Sequence, residues 1–225
     1  MEIKEIARIE NNYVDKFGIP RQSGLADTVK ARIVFAPEYR NPDAFRGIEG
    51  YSHLWLIWQF SEAVRDTWSP TVRPPILGGN TRVGVFATRS PFRPNSLGLS
   101  SVELVRVEYE TEQGPVLHIK GADLMDGTPI FDIKPYLAYA DSHPEATQGF
   151  RGAGWQRNLQ VDFPAELLAQ VPEAQQAGLL GVLASDPRPT YHQDPERIYG
   201  MPFGDVEVKF RVQEKLLQVV GVEQR

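Results

Sequence analysis

Six short runs rich in β-branched and aromatic residues crowd the first 140 residues, separated by turn formers. They are ARIVFA (31–36), HLWLIWQF (53–60), RVGVFAT (82–88), SVELVRVEYE (101–110), PVLHIKGADL (115–124) and TPIFDIKPYL (128–137). This pattern predicts strands, and strands joined by tight turns must pair antiparallel. EYETEQGP (108–115) reads as a hairpin connection, and Asp126-Gly127 between apolar flanks as a two-residue hairpin turn. A barrel or a strongly curved sheet follows.

After Tyr139 the character changes. DSHPEATQGFRGAGW (141–155) is polar and poor in branched aliphatics, which suggests a linker. Beyond it, AELLAQVPEAQQAGLLGVLASD (165–186) has helical periodicity broken by Pro172, and DVEVKFRVQEKLLQVVGVE (205–223) alternates as a closing pair of strands. The fold class expected is mainly β or α+β: an antiparallel β-barrel domain over 1–140, a linker over 141–155 and a small α+β domain over 156–225.

Within the barrel region, residues 69–100 hold four arginines and no Asp, Glu or Lys, although the chain carries a net charge of −5. Glycines and prolines interrupt the stretch, so the arginines must be displayed from turns and short strands. A planar fork of donors suits phosphate, carboxylate or the face of a base, so the implied partner is anionic. The acidic balance argues against a general nucleic-acid coat, yet a local basic patch can still bind RNA at one place.

With 41% hydrophobic and 24% charged residues over 225 positions, the chain has ample material for a core. Cysteine is absent and the four histidines are scattered, which excludes disulfides, thiolate metal sites and cysteine nucleophiles and argues against a histidine metal site. The longest apolar stretch, at 54–60, is too short to span a bilayer, and MEIKEIARIE lacks the apolar run of a leader, so a cytoplasmic protein is expected. No G-x-G-x-x-G or G-x-x-x-x-G-K-[ST] occurs in the required context, and no G-x-S-x-G elbow is present. Rossmann, P-loop and serine-hydrolase chemistries are therefore not indicated.

Each candidate site has a plainer competitor. In ATRSPFRPNSLG (87–98), two X-Pro steps stiffen a loop that displays Arg89, Arg93 and Asn95; arginines bonded to backbone carbonyls would explain the same residues. In DLMDGTP (123–129), carboxylates could accept from hydroxyls or an exocyclic amine, though a simple turn accounts for Asp126-Gly127. GIPRQSG (18–24) frames an Arg and a Gln, and DPRPTY (186–191) is a second proline-stiffened arginine loop. His53 reads as a partly buried, hydrogen-bonded residue in preference to a general base, and Trp55, Trp58 and Phe60 as core in preference to platforms that stack on bases.

PRQSG (20–24), EGYSHLW (49–55), PTVRPP and GVFATRSPFRPNSLGLS within 70–100, DLMDGTPIFDIKPY (123–136) and DPRPTY (186–191) stand in order across almost the whole chain. Together they resemble the TsaA-like family, and within it the bacterial TrmO-type tRNA (adenine-N6)-methyltransferases. The resemblance implies a non-Rossmann β-barrel that binds S-adenosyl-L-methionine near a homodimer interface. It also implies methylation of N6 of the threonylcarbamoyl-modified adenosine beside the anticodon of threonine tRNAs. Carried over by position, cofactor contacts fall on Pro20, Arg21, Gln22, Ser61, Glu62, Arg89, Leu99, Asp123, Leu124, Met125 and Asp126. Asn95 or an Asp of the 123–126 loop, Asp126 among them, would accept from the N6 hydrogen, while Tyr136 or Arg93 contacts substrate. Arg73, Arg82, Arg93 and Arg188 are candidates for tRNA phosphates, and neither membrane nor DNA is expected as a partner. A non-catalytic barrel for an adenine ligand or RNA, and a methyltransferase with another acceptor, are the competing readings.

Overall fold

A computed structural model describes residues 2–151, 158–189 and 194–225. Its strands are β1 (Ala7–Glu10), β2 (Lys30–Phe35), β3 (His53–Gln59), β4 (Thr71–Val72), β5 (Val83–Gly84), β6 (Leu97–Glu108), β7 (Val116–Lys120), β8 (Pro129–Pro135), β9 (Gln160–Asp162), β10 (Tyr199–Phe203), β11 (Val206–Gln213) and β12 (Leu216–Gln224). Helices α1 (Ala138–Asp141), α2 (Ala165–Leu168) and α3 (Glu173–Ala184) lie between β8 and β10. The last four residues of the expected linker, 152–155, and Thr190-Tyr191 of the DPRPTY motif lie outside the described residues.

The expected barrel is present. It closes in the order β1-β2-β7-β6-β3-β8, with every neighbouring pair antiparallel. Strict alternation explains its filling: Leu54, Leu56 and Trp58 of β3 point inward with Ile9, Ile33, Leu117, Ile119 and Ile130. Each such aliphatic side chain contributes about 1.5–3 kcal/mol on burial. A second sheet, in the order β10-β11-β12-β9, packs α3 on one face, and only the β12–β9 pair in it is parallel.

Two local expectations are corrected. RVGVFAT forms a strand only at Val83–Gly84 before a 3-10 turn, because its partner segment carries Pro70, Pro74 and Pro75, which cannot donate to a ladder. Asp126-Gly127 does turn the chain, with Gly127 at φ 73°, but it closes no hairpin. β7 pairs with β2 and β6, whereas β8 pairs with β1 and β3, so the loop crosses the barrel. The turn is tied instead to the end of β1: Asp126 N donates to Tyr13 O at 2.9 Å and Gly127 N to Ile9 O at 2.9 Å.

Packing does not follow chain order. Tyr13, Ala26 and Val29, from the β1–β2 connection, belong to the core of the second sheet with Met201, Phe203 and Leu179. Gly18, at φ 101°, lies where a Cβ would strike the Met201 side chain. The long connection that carries the PRQSG motif is thus clamped by the C-terminal residues, which fixes where Arg21 and Gln22 point.

Candidate functional site

The register of β3 against β6 builds the floor of the site. Trp58 lies opposite Gly98, and its indole covers the glycine so closely that a Cβ there would overlap the ring. Phe60 packs on the same indole, with centroids 4.2 Å apart. Trp58 Nε1 donates to Ser100 Oγ at 2.9 Å, and Ser100 Oγ donates to Asp123 Oδ1 at 2.5 Å. A Gly98→Ala change is expected to displace the indole and break this chain, lowering stability by about 1–3 kcal/mol, which thermal unfolding would register.

Around that floor lies a cavity of about 540 Å³. Its walls come from the 19–22 loop, the Ser61–Ala63 turn after β3, the 88–93 loop, and Asp123 with Met125. Arg89 donates to the Gln22 side chain, whose amide bonds the Arg21 carbonyl, while Arg21 Nη2 donates to Arg188 O at 2.5 Å. Lys16 crosses to Glu62, with Nζ 3.6 Å from Oε2. Burial is the main influence on Asp123 and raises its proton affinity above the usual Asp range; the Ser100 hydroxyl and the nearby charge of Arg89 oppose it. The cavity therefore combines cationic forks, one desolvated carboxylate and an aromatic floor. Such a mixture can hold a ligand bearing both charges and a flat ring.

The fold brings Pro20, Arg21, Gln22, Ser61, Glu62, Arg89, Leu99, Asp123 and Met125 to this one cavity. Other expected site residues lie elsewhere. Leu124 is fully buried in the barrel core. Asp126 faces away and accepts from Asn11 N at 2.9 Å. Asn95 is exposed and outside the cavity lining. Tyr136 sits at the far end of β8, its ring 5.5 Å from that of Trp55. Arg188 is buried and holds Asp186 through Nε at 2.9 Å and Nη2 at 3.1 Å, so its guanidinium does not face an RNA phosphate. Arg93 does line the cavity, but its guanidinium donates to the Thr88 and Ser90 carbonyls at 2.9 and 3.3 Å, so the plainer reading, a loop staple, accounts for it. His53 is hydrogen-bonded as expected, with Nδ1 3.0 Å from Ser52 Oγ, but it is exposed rather than partly buried.

Ser100 and Lys16 are site residues not named among the candidates, although Ser100 closes the GVFATRSPFRPNSLGLS motif. Ser100 could have been found from the alternation of β6, where Gly98, Ser100 and Val102 are all buried and Ser100 is the polar one. Trp58 serves as core and as cavity floor at once.

Comparison with known proteins bears on this geometry. Residues 8–142 match the profile of the tRNA-methyltransferase O N-terminal domain, and residues 156–225 that of the TrmO C-terminal domain. The chain is 38% identical to a protein of Escherichia coli (strain K12) named tRNA (adenine(37)-N6)-methyltransferase, over 100% of this chain and 98% of that one. It superposes on the crystal structure of TrmO from Pseudomonas aeruginosa with a TM-score of 0.79 at 31% identity, covering 99% of this chain and 98% of that one. An Archaeoglobus fulgidus protein named "Probable S-adenosyl-L-methionine-binding protein" is 36% identical over 67% of this chain and 38% of its own length.

Proposed function

Because the chain belongs to the tRNA-methyltransferase O family, we propose that it methylates N6 of adenine 37 in tRNA with S-adenosyl-L-methionine as donor. We take the acceptor to be the threonylcarbamoyl-modified adenosine of threonine tRNAs, following the resemblance of its motifs to the TsaA-like family. The observation that carries the reading is the cavity beneath the 88–93 loop, where Arg89 and Asp123 face a floor of Trp58 and Phe60.

The donor set fits the cofactor. Arg21 and Arg89 suit its carboxylate, Glu62 suits its ammonium group, and Trp58, Phe60, Leu99 and Met125 suit the adenine ring. When bound, the cofactor supplies an electrophilic methyl group on a sulfonium. The protein's own work is to position an amine and to take its proton. Of the two aspartates in the 123–126 loop, Asp123 is the one in the cavity, so it is the proton acceptor in this reading. Its burial makes it a stronger base than a surface carboxylate, while the Ser100 hydroxyl holds one oxygen and orients the other. Asp126 and Tyr136 are outside this role.

Incubating the protein with labelled S-adenosyl-L-methionine and fully modified or unmodified threonine tRNA, followed by nucleoside mass analysis, tests the activity and the acceptor together. A methyl group on adenine 37 of the modified tRNA alone is the expected outcome; none on either RNA would overturn the reading. Arg89→Ala is expected to weaken cofactor binding about 10- to 100-fold, the worth of a charge-assisted hydrogen bond, as read by calorimetry.

This reading places the enzyme in the cytoplasm with its tRNA and has it act as a homodimer. No helix among the described residues is long and apolar enough to cross a membrane. Leu99 is 57% exposed beside the cavity, a surface that a second copy would cover. Light scattering at working concentration decides between monomer and dimer.

A further inference from the structure

A second cavity, of about 710 Å³, lies on the other side of the 88–93 loop. It shares Ala63, Thr88, Arg89, Pro91, Phe92 and Arg93 with the first, so that one loop is the wall between them. Among the described residues, five arginines line it: Arg65, Arg73, Arg82, Arg89 and Arg93. No described Asp or Glu does, in a chain whose net charge is −5. Arg65, Arg73 and Arg82 are exposed. None of the five forms an ion pair with a described residue.

Aromatic faces interleave with these charges. Trp68 is 53% exposed in the cavity lining and leans on Phe86, which is 74% exposed, with ring centroids 6.3 Å apart. Phe92, 38% exposed, stands on the dividing loop with the Arg65 guanidinium 3.6 Å above its ring. Arg82 is steadied by a 2.9 Å bond from Nη1 to Thr71 Oγ1 on the short β4–β5 ribbon. Exposed apolar rings are costly in water, and so are unpaired like charges brought together. Both costs fall when the occupant carries flat bases along a phosphate chain. A peptide acid would satisfy the arginines but leave the rings unused.

We propose that this second cavity binds the unpaired nucleotides flanking the acceptor adenosine. Trp68 and Phe92 stack on bases, while Arg73, Arg82 and Arg65 take phosphates. The inference rests on the methyltransferase reading, and it deepens that reading by giving the single strand a route to the dividing loop. The acceptor base then enters the first cavity over Phe92 and Arg89, while Arg93 braces the loop from behind.

The test is fluorescence anisotropy of an end-labelled anticodon stem-loop RNA over a range of KCl concentrations, for the wild type and for Arg73→Gln, Arg82→Gln and Trp68→Ala. Each arginine variant is expected to bind more weakly and to reduce the salt slope by about 1. Trp68→Ala is expected to lose about tenfold in affinity with the slope unchanged, as loss of a stacked base requires. Cofactor binding by calorimetry should be unaltered in all three, which separates a local effect from a damaged fold. Unchanged RNA affinity in the three variants, or equal weakening toward a fully paired RNA duplex, overturns the proposal. If the variants behave as expected but the wild type methylates no tRNA, the groove stands and the functional reading falls. If the wild type methylates tRNA and the variants bind like it, the reverse holds.

Discussion

Asp186→Ala is expected to lower the unfolding free energy by about 3–5 kcal/mol, the usual cost of stranding one partner of a buried ion pair. The Asp186 side chain is 1% exposed and that of Arg188 8% exposed. Oδ1 accepts from Arg188 Nε at 2.9 Å and Oδ2 from Nη2 at 3.1 Å, a two-pronged pairing that leaves the guanidinium without a carboxylate once the acid is removed. Asp186 also adopts a left-handed backbone, φ 56°, which Asp and Asn tolerate better than Ala. Asp186→Asn should therefore lose less than Asp186→Ala. The effect should reach the cavity beneath the 88–93 loop, since the Arg188 carbonyl accepts from Arg21. Denaturant unfolding measures the first consequence, and a raised KM for S-adenosyl-L-methionine in Asp186→Asn the second. If Asp186→Ala unfolds at the wild-type denaturant concentration, the pair does not hold the bend at 186–189.

The contrast between Arg188 and Arg89 shows how much of the site was legible. Both occur in proline-stiffened loops, and local sequence cannot tell them apart. Arg89 lines the cavity because β6 starts just beyond its loop, whereas Arg188 turns inward because Asp186 lies two residues before it in a buried bend. Strand alternation was readable, so β2, β3, β6, β7 and β8 fell near their expected places. Strand order was not, because Asp126-Gly127 has hairpin chemistry yet joins strands that do not pair. Its true partners, Tyr13 O and Ile9 O, are more than a hundred residues away in the chain. The short strands β1, β9 and β10 also escaped notice: β1 and β9 span only four and three residues, and β10 carries Gly200 and Pro202 among its five.

Asp123→Asn is expected to reduce the turnover of tRNA methylation by about 10²–10⁴, the range for loss of a positioned general base. Asn keeps the shape, and its carbonyl can still accept from Ser100, so the change removes proton affinity more than structure. In the wild type, burial raises the Asp123 pKa above its ordinary value. Activity should accordingly rise with pH through that elevated value, with the acidic limb displaced upward from the usual carboxylate range and absent from the variant. Stability follows the opposite sign. Because the folded-state pKa lies above the unfolded one, the favourable contribution is complete below the unfolded value and is lost as pH rises through the folded value. Asn cannot ionise, so the variant should escape that loss and be no less stable than wild type near neutrality. Loss of turnover with retained thermal stability is a combination that a merely structural Asp123 would not produce. A saturating turnover within a factor of a few of wild type, with only the cofactor affinity reduced, would instead make Asp123 a cofactor ligand and leave the proton to another group.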